Sequence, residues 1–127
     1  MNEKADFKID RDGVWHHEGV PIKREALAKL FSDRALKIDE DGRYWLQTPF
    51  EKYPVEVEDV PYVVVDYEQE DEKLVFRTNM DETTKKRIEM RGEIPYVEVR
   101  NGLYARIGRA VYYNLIEEFG AEIFESC

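Results

Sequence analysis

The chain has one cysteine, Cys127, at its very end. That excludes an intramolecular disulfide and any cysteine-based metal site. Histidine is almost as scarce: His16 and His17 are the only two, adjacent in sequence. Neighbouring residues of a strand face opposite sides of the sheet, so this pair makes no metal pincer, and no third His or Cys completes one. Long apolar runs are missing. The longest, Val60 to Val65, falls far short of a membrane span. The start Met1-Asn2-Glu3-Lys4 leads into no apolar run, so no signal peptide is expected. A soluble, cytoplasmic protein is the expectation.

Positive charge is also in deficit. There are 19 Lys and Arg against 28 Asp and Glu, a net charge of -9 and a pI near 4.8. Recognition of a phosphate backbone needs clustered cations. The nearest approach is Lys85-Lys86-Arg87, with Asp81 and Glu82 just upstream. Nucleic acid and anionic membrane are therefore not expected partners. The glycines make no phosphate cradle: Gly13 and Gly19 are separated by a strand, and no Gly-Lys-Ser/Thr follows. Neither Ser32 nor Ser126 sits in a Gly-flanked elbow. Asp39-Glu40-Asp41-Gly42 has a superficial likeness to a calcium loop, but its twelfth position is Phe50 where a closing Glu is needed.

What the chain does have is the composition of a folded domain. Of its 127 residues, 43% are hydrophobic and 13% aromatic, and the charged residues alternate with apolar ones. Four hairpins are predicted. Phe7-Lys8-Ile9 pairs with Val14-Trp15-His16 across an Asp-Gly turn, and Leu36-Lys37-Ile38 with Tyr44-Trp45-Leu46 across another. The third pairs Val60 to Val65 with Lys73 to Thr78, around an acidic turn from Glu68 to Glu72. The fourth pairs Ile94 to Val99 with Leu103 to Arg106 across Asn101-Gly102. Val55-Glu56-Val57-Glu58 alternates strictly and reads as a short edge strand.

Two amphipathic helices are expected. Lys23 to Phe31 carries Ala26, Leu27, Leu30 and Phe31 on one face, with Pro21 suiting its start. The other runs from Ala110 to Phe119 and stops at Gly120. Asp81 to Met90 is a third, short helix or a loop.

The beginning of the chain is echoed near its end without a gap. Arg11-Asp12-Gly13-Val14-Trp15 and Gly19 align with Arg100-Asn101-Gly102-Leu103-Tyr104 and Gly108. Gly13 reads as a turn and Gly19 as a strand-to-helix bend. The fold expected is α+β: mostly antiparallel sheets built from β-hairpins, with two β-β-α units related by internal repeat. The halves divide as 1–59 and 60–127.

Several phrases together are distinctive. They are Ile9-Asp10-Arg11-Asp12-Gly13-Val14-Trp15, Gly19-Val20-Pro21-Ile22-Lys23-Arg24, Thr48-Pro49-Phe50-Glu51-Lys52, Val57-Glu58-Asp59-Val60-Pro61 and Arg100-Asn101-Gly102-Leu103-Tyr104-Ala105-Arg106. The string resembles the bacterial family called domain of unknown function 1285, over nearly the whole chain. The resemblance implies a two-part α+β fold with internal repeats and a role in signalling, with no established activity. Many members, on the same resemblance, continue past the last helix with a Gly- and aromatic-rich strand.

Three functional readings follow. The first is a non-enzymatic module that binds a small molecule or protein, without cofactor or metal. Its site is placed between the halves, at His17 and Arg24 or at Arg106 and Arg109, because the echo aligns His17 with Arg106. The second is an enzyme with a His/carboxylate acid-base centre. The third is a homodimer that associates through sheet edges or the helix face around Tyr112 and Tyr113.

Overall fold

The computed structural model describes residues 7–23, 36–47 and 52–125. The chain separates into two compact units, Met1–Pro61 and Tyr62–Cys127. Each is built around one six-stranded sheet.

In the first unit the strands are β1 (Phe7–Ile9), β2 (Trp15–His17), β3 (Val20–Pro21), β4 (Leu36–Ile38), β5 (Tyr44–Gln47) and β6 (Lys52–Val57). Their order is β3-β2-β1-β6-β5-β4. Two antiparallel meanders are thus joined by one parallel pair, β1 with β6, in the register Phe7↔Val55 and Ile9↔Val57. Alternation sends Phe7, Ile9, Trp15, Leu36, Leu46 and Val55 inward. Burial of each such side chain contributes about 1.5–3 kcal/mol. The Phe7 ring meets Trp15 and Tyr53 edge-on, at 6.5 and 5.8 Å between centroids.

Both Asp-Gly hairpins are closed by the same device. Asp10 Oδ1 accepts the N–H groups of Asp12 and Val14 at 2.9 and 3.0 Å, and its Oδ2 lies 2.9 Å from His16 Nε2. Asp39 Oδ1 accepts those of Asp41 and Arg43, each at 2.9 Å, and its Oδ2 accepts the Trp45 indole N–H at 2.9 Å. The glycine that ends each turn, Gly13 or Gly42, has φ near +80°. This is the conformation that glycine adopts without steric cost. The carboxylate thereby stands in for backbone partners that the turn leaves unsatisfied. Both oxygens of Asp39 accept hydrogen bonds within the hairpin.

The second unit contains β7 (Tyr62–Glu70), β8 (Lys73–Thr78), β9 (Thr83–Thr84), β10 (Ile88–Arg91), β11 (Ile94–Arg100) and β12 (Leu103–Ile107), then helices α1 (Arg109–Phe119) and α2 (Glu122–Glu125). Its sheet order is β10-β11-β12-β7-β8-β9, with β12 parallel to β7. The topology of the first unit is repeated: two meanders, with the last strand of the second parallel to the first strand of the first. Val64, Phe76, Val97, Leu103, Ala105, Ile107, Val111 and Leu115 form its core. Gly108 turns the chain from β12 into α1. Its N–H donates to the Val64 carbonyl at 3.3 Å, and a Cβ there would stand 3.1 Å from that oxygen, so any larger residue would crowd the β7 backbone. On α1, Tyr112 stacks on Phe124 of α2 at 4.8 Å, while Tyr113 is exposed.

The four predicted hairpins form, and the helix predicted from Ala110 to Phe119 is α1. Other expectations need correction. Val55–Glu58 is no edge: β6 lies at the centre of its sheet, because its second partner is a parallel strand that no local pattern announces. Gly19 is not a strand-to-helix bend. Glu18 and Gly19 both have positive φ and form a two-residue hairpin turn into β3, where Pro21 pairs with His16. Pro21 therefore lies in an edge strand.

The acidic run from Glu68 stays in β7 as far as Glu70, so the turn is Asp71-Glu72 alone. Asp81 to Met90 is strand, connection and strand. The helix expected from Lys23 to Phe31 lies, beyond Lys23, outside the described residues. A β-β-α order is seen once among the described residues, in β11-β12-α1. The topological repeat also has a different register from the sequence echo. The echo aligns β1 and β2 with β11 and β12, whereas the strand order makes them equivalent to β7 and β8.

The Asp clips tie stability to pH. The Trp45 and Arg43 N–H groups hold the Asp39 carboxyl below its ordinary value of 3.8. Burial pushes Asp10 upward, but His16 and the amides of Val14 and Asp12 outweigh it and bring it below that value. Lowered folded values mean that this stabilisation is complete above the unfolded value and is lost as pH falls through 3.8 towards the folded ones. Thermal melts of Asp39→Asn are expected to show a lower Tm than wild type at pH 7 and a shallower decline below pH 4. Equal slopes would contradict the clip.

Candidate functional site

The β7–β8 hairpin outruns its neighbours. β12 pairs with β7 only at Tyr62, Val63 and Val64, and β9 pairs with β8 only at Phe76 and Arg77. Beyond those points the hairpin continues as an arm, with Glu68 opposite Val75 and Gln69 opposite Leu74. The helices reach this arm: Phe119, the last residue of α1, lies 6.5 Å from the Tyr67 ring, and Glu118 accepts the Tyr67 hydroxyl at 3.3 Å. An open groove of about 800 Å³ results. Leu74, Phe76, Ile88, Phe119 and Ile123 form its apolar floor, with Gln69 beside them.

Its rim carries the basic cluster of this acidic chain. Lys85, Lys86 and Arg87 cross from β9 to β10, and Lys73 and Glu72 come from the tip of the arm. Two hydrogen bonds fix the crossing. The Lys86 N–H donates to Thr84 Oγ1 at 3.2 Å, and the Thr84 hydroxyl donates to the Glu98 carbonyl at 2.8 Å, beside a bulge in β11. Lys85 pairs with Glu70 at 3.1 Å, and Lys86 with Glu98 at 3.0 Å. The Gly102 N–H, and then Lys86, hold the Glu98 carboxyl below its ordinary value.

A second polar cluster of this unit is turned on itself. Tyr62 donates its hydroxyl to Glu82 Oε2 at 2.5 Å, and Arg100 Nε donates to Glu82 Oε1 at 2.8 Å. Arg100 also reaches the Tyr62 oxygen at 3.4 Å. Burial, and then the Glu82 carboxylate, push the Tyr62 phenol far up, so it stays a donor. Burial acts to lower the Arg100 value, but Glu82 and Tyr62 outweigh it and raise it. The cluster ties β7, the approach to β9 and the end of β11 together, and none of its members lines the groove.

The residues expected to bind are placed as follows. His17 ends β2 and is exposed, its ring stacked on Phe7 at 4.6 Å. Arg24 lies outside the described residues. Arg106 is half-buried on β12, between Tyr96 of β11 and Val63 of β7, and Arg109 is exposed at the first position of α1. None of His17, Arg106 and Arg109 lines the groove. The groove residues themselves were visible as a basic run and two strands, but nothing local announces their convergence. Among the described residues, no three or more His, Cys, Asp or Glu side chains are grouped to hold a metal ion. No helix there is long and apolar enough to cross a membrane.

Two family models match the chain. Residues 1–60 match "Domain of unknown function (DUF1285), N-terminal domain", and residues 61–125 match "Protein of unknown function (DUF1285), C-terminal domain". The chain belongs to the DUF1285 family. A DUF1285 crystal structure from Shewanella baltica OS155 is similar to it at 30% identity and a TM-score of 0.79, over 96% of this chain and 98% of that one. Another, from Silicibacter pomeroyi DSS-3, is 37% identical with a TM-score of 0.74, over 91% of this chain and 70% of that one. No match is found among curated proteins. DUF1285 is a family of unknown function.

The Tyr62–Glu82–Arg100 cluster is expected to hold the second unit together. Glu82→Gln removes the carboxylate that the half-buried Arg100 guanidinium and the Tyr62 hydroxyl share and should cost about 2 kcal/mol, against about 1 kcal/mol for Tyr62→Phe. Urea unfolding measures both. Equal and negligible losses would show that the cluster does not bear on stability.

Proposed function

We propose that this protein is a non-catalytic binding module for a small ligand, of the kind a signalling pathway uses to register a molecule, and that its second unit carries the site. One observation carries this reading. Among the described residues, the groove of the second unit combines an apolar floor with a cationic rim, and its lining includes no Ser, Thr, Cys or His. Such a site has the means to hold a ligand and to orient its charged end.

Among the described residues, a His–carboxylate contact available to the acid-base alternative is His16 with Asp10, at 2.9 Å. The twin hairpin argues for a structural role. There Trp45 makes the same bond to Asp39, and an indole N–H does not exchange its proton in acid-base work. A contact reproduced by a residue without that chemistry is explained by turn closure.

Native mass spectrometry of the full chain, purified from its own host, tests the binding reading. A small-molecule adduct is expected on the wild type and should be lost from Leu74→Asp, which places a carboxylate on the groove floor. An adduct that survives this substitution would move the site elsewhere.

A further inference from the structure

We propose that the groove takes a linear monocarboxylate, an anion of fatty-acid type, with its head group at Arg87 and its chain along the apolar floor. The inference rests on the binding reading above and adds the chemistry of the ligand.

The charge of the rim selects the head group. Lys85 and Lys86 are each neutralised by a carboxylate, Glu70 and Glu98. Lys73 and Arg87 form no ion pair among the described residues, and Glu72 offsets one of them. One net positive charge remains, which a single negative charge balances. A polyphosphate would bring several negative charges against that one and meet Glu72 on the same rim. Arg87 presents a planar fork of N–H donors, the geometry that a carboxylate accepts in bidentate fashion. The chain as a whole, at net charge -9, repels anions, so the rim is where one is drawn.

The floor selects the remainder of the ligand. Leu74, Phe76, Ile88, Phe119 and Ile123 have no polar side-chain atom, so a sugar or another polyhydroxylated body would lose its hydrogen bonds to water without replacement. A hydrocarbon chain loses nothing and releases the water that covers both surfaces. Because the groove is open, a flexible chain enters without any strand parting.

Isothermal titration calorimetry on the full chain tests this with dodecanoate below its micellar concentration. Dodecyltrimethylammonium, which has the same chain and the opposite charge, and acetate, which has the head group without the chain, are the controls. Dodecanoate is expected to bind at one site, dodecyltrimethylammonium at least about tenfold more weakly, and acetate not measurably. Arg87→Gln should weaken dodecanoate about five- to tenfold and leave dodecyltrimethylammonium no weaker. Leu74→Asp should abolish dodecanoate binding. Should that variant fail to fold by circular dichroism, Ile123→Ser serves in its place, with weaker binding expected.

Equal affinity for the two detergents, or an Arg87→Gln variant that binds dodecanoate like wild type, would overturn the proposal. So would sedimentation of the protein with phosphatidylglycerol vesicles without any uptake of free dodecanoate. If dodecanoate fails while a native adduct is still lost from Leu74→Asp, the carboxylate falls and the binding reading stands. If both fail, both fall.

Discussion

Each unit depends on one pairing that no turn creates: the parallel contact between the first strand of its first meander and the last strand of its second. β1 meets β6 in one unit and β7 meets β12 in the other. Every other ladder joins strands close in sequence, many through turns of two to four residues. The parallel ladders must be closed across most of a unit, so their loop entropy is lost before any contact repays it. They also carry part of each core. Ile9 and Ala105 are fully buried, and Val64 and Ile107 nearly so. A meander with one face uncovered is marginal by itself. Two joined at the centre make a sheet with a continuous buried face.

The groove follows from this arrangement and from unequal strand lengths. The central pair fixes β7 at its first three residues, and the rest of that long strand is free to run out as an arm with β8. Gly108 returns the chain from β12 directly against Val64, which starts α1 beside β7 and brings Phe119 and Ile123 to the arm. The short β9 releases the chain early, so that Lys85, Lys86 and Arg87 cross the open side. Apolar floor and basic rim are thus two consequences of one strand outlasting its neighbours.

Much of the fold was legible because it is local. Asp10 and Asp39 precede Asp-Gly turns within alternating segments, and Asn101-Gly102 has both residues at positive φ in a two-residue turn. Each of these marks its own hairpin. Several misreadings fall where a distant partner decides. Val55–Val57 alternates like an edge strand, but its place is set by β1, far back in the sequence. Thr83, Thr84 and Ile88–Arg91 have little pattern of their own and take strand form from β8 and β11. The candidate site was hardest to read. Its cations were visible as Lys85-Lys86-Arg87, but their apolar floor comes from four separate elements, and the echo drew attention to His17 and Arg106 instead.

Native-state hydrogen exchange followed by NMR tests the central role of the parallel pairs most directly. In each unit, the hydrogen-bonded amides of β1 with β6 and of β7 with β12 are expected to exchange last, at the free energy of global unfolding for that unit. Hairpin amides of a single meander that stay protected after the parallel pair has exchanged would contradict the account. They would show that the meanders stand without the pair that joins them.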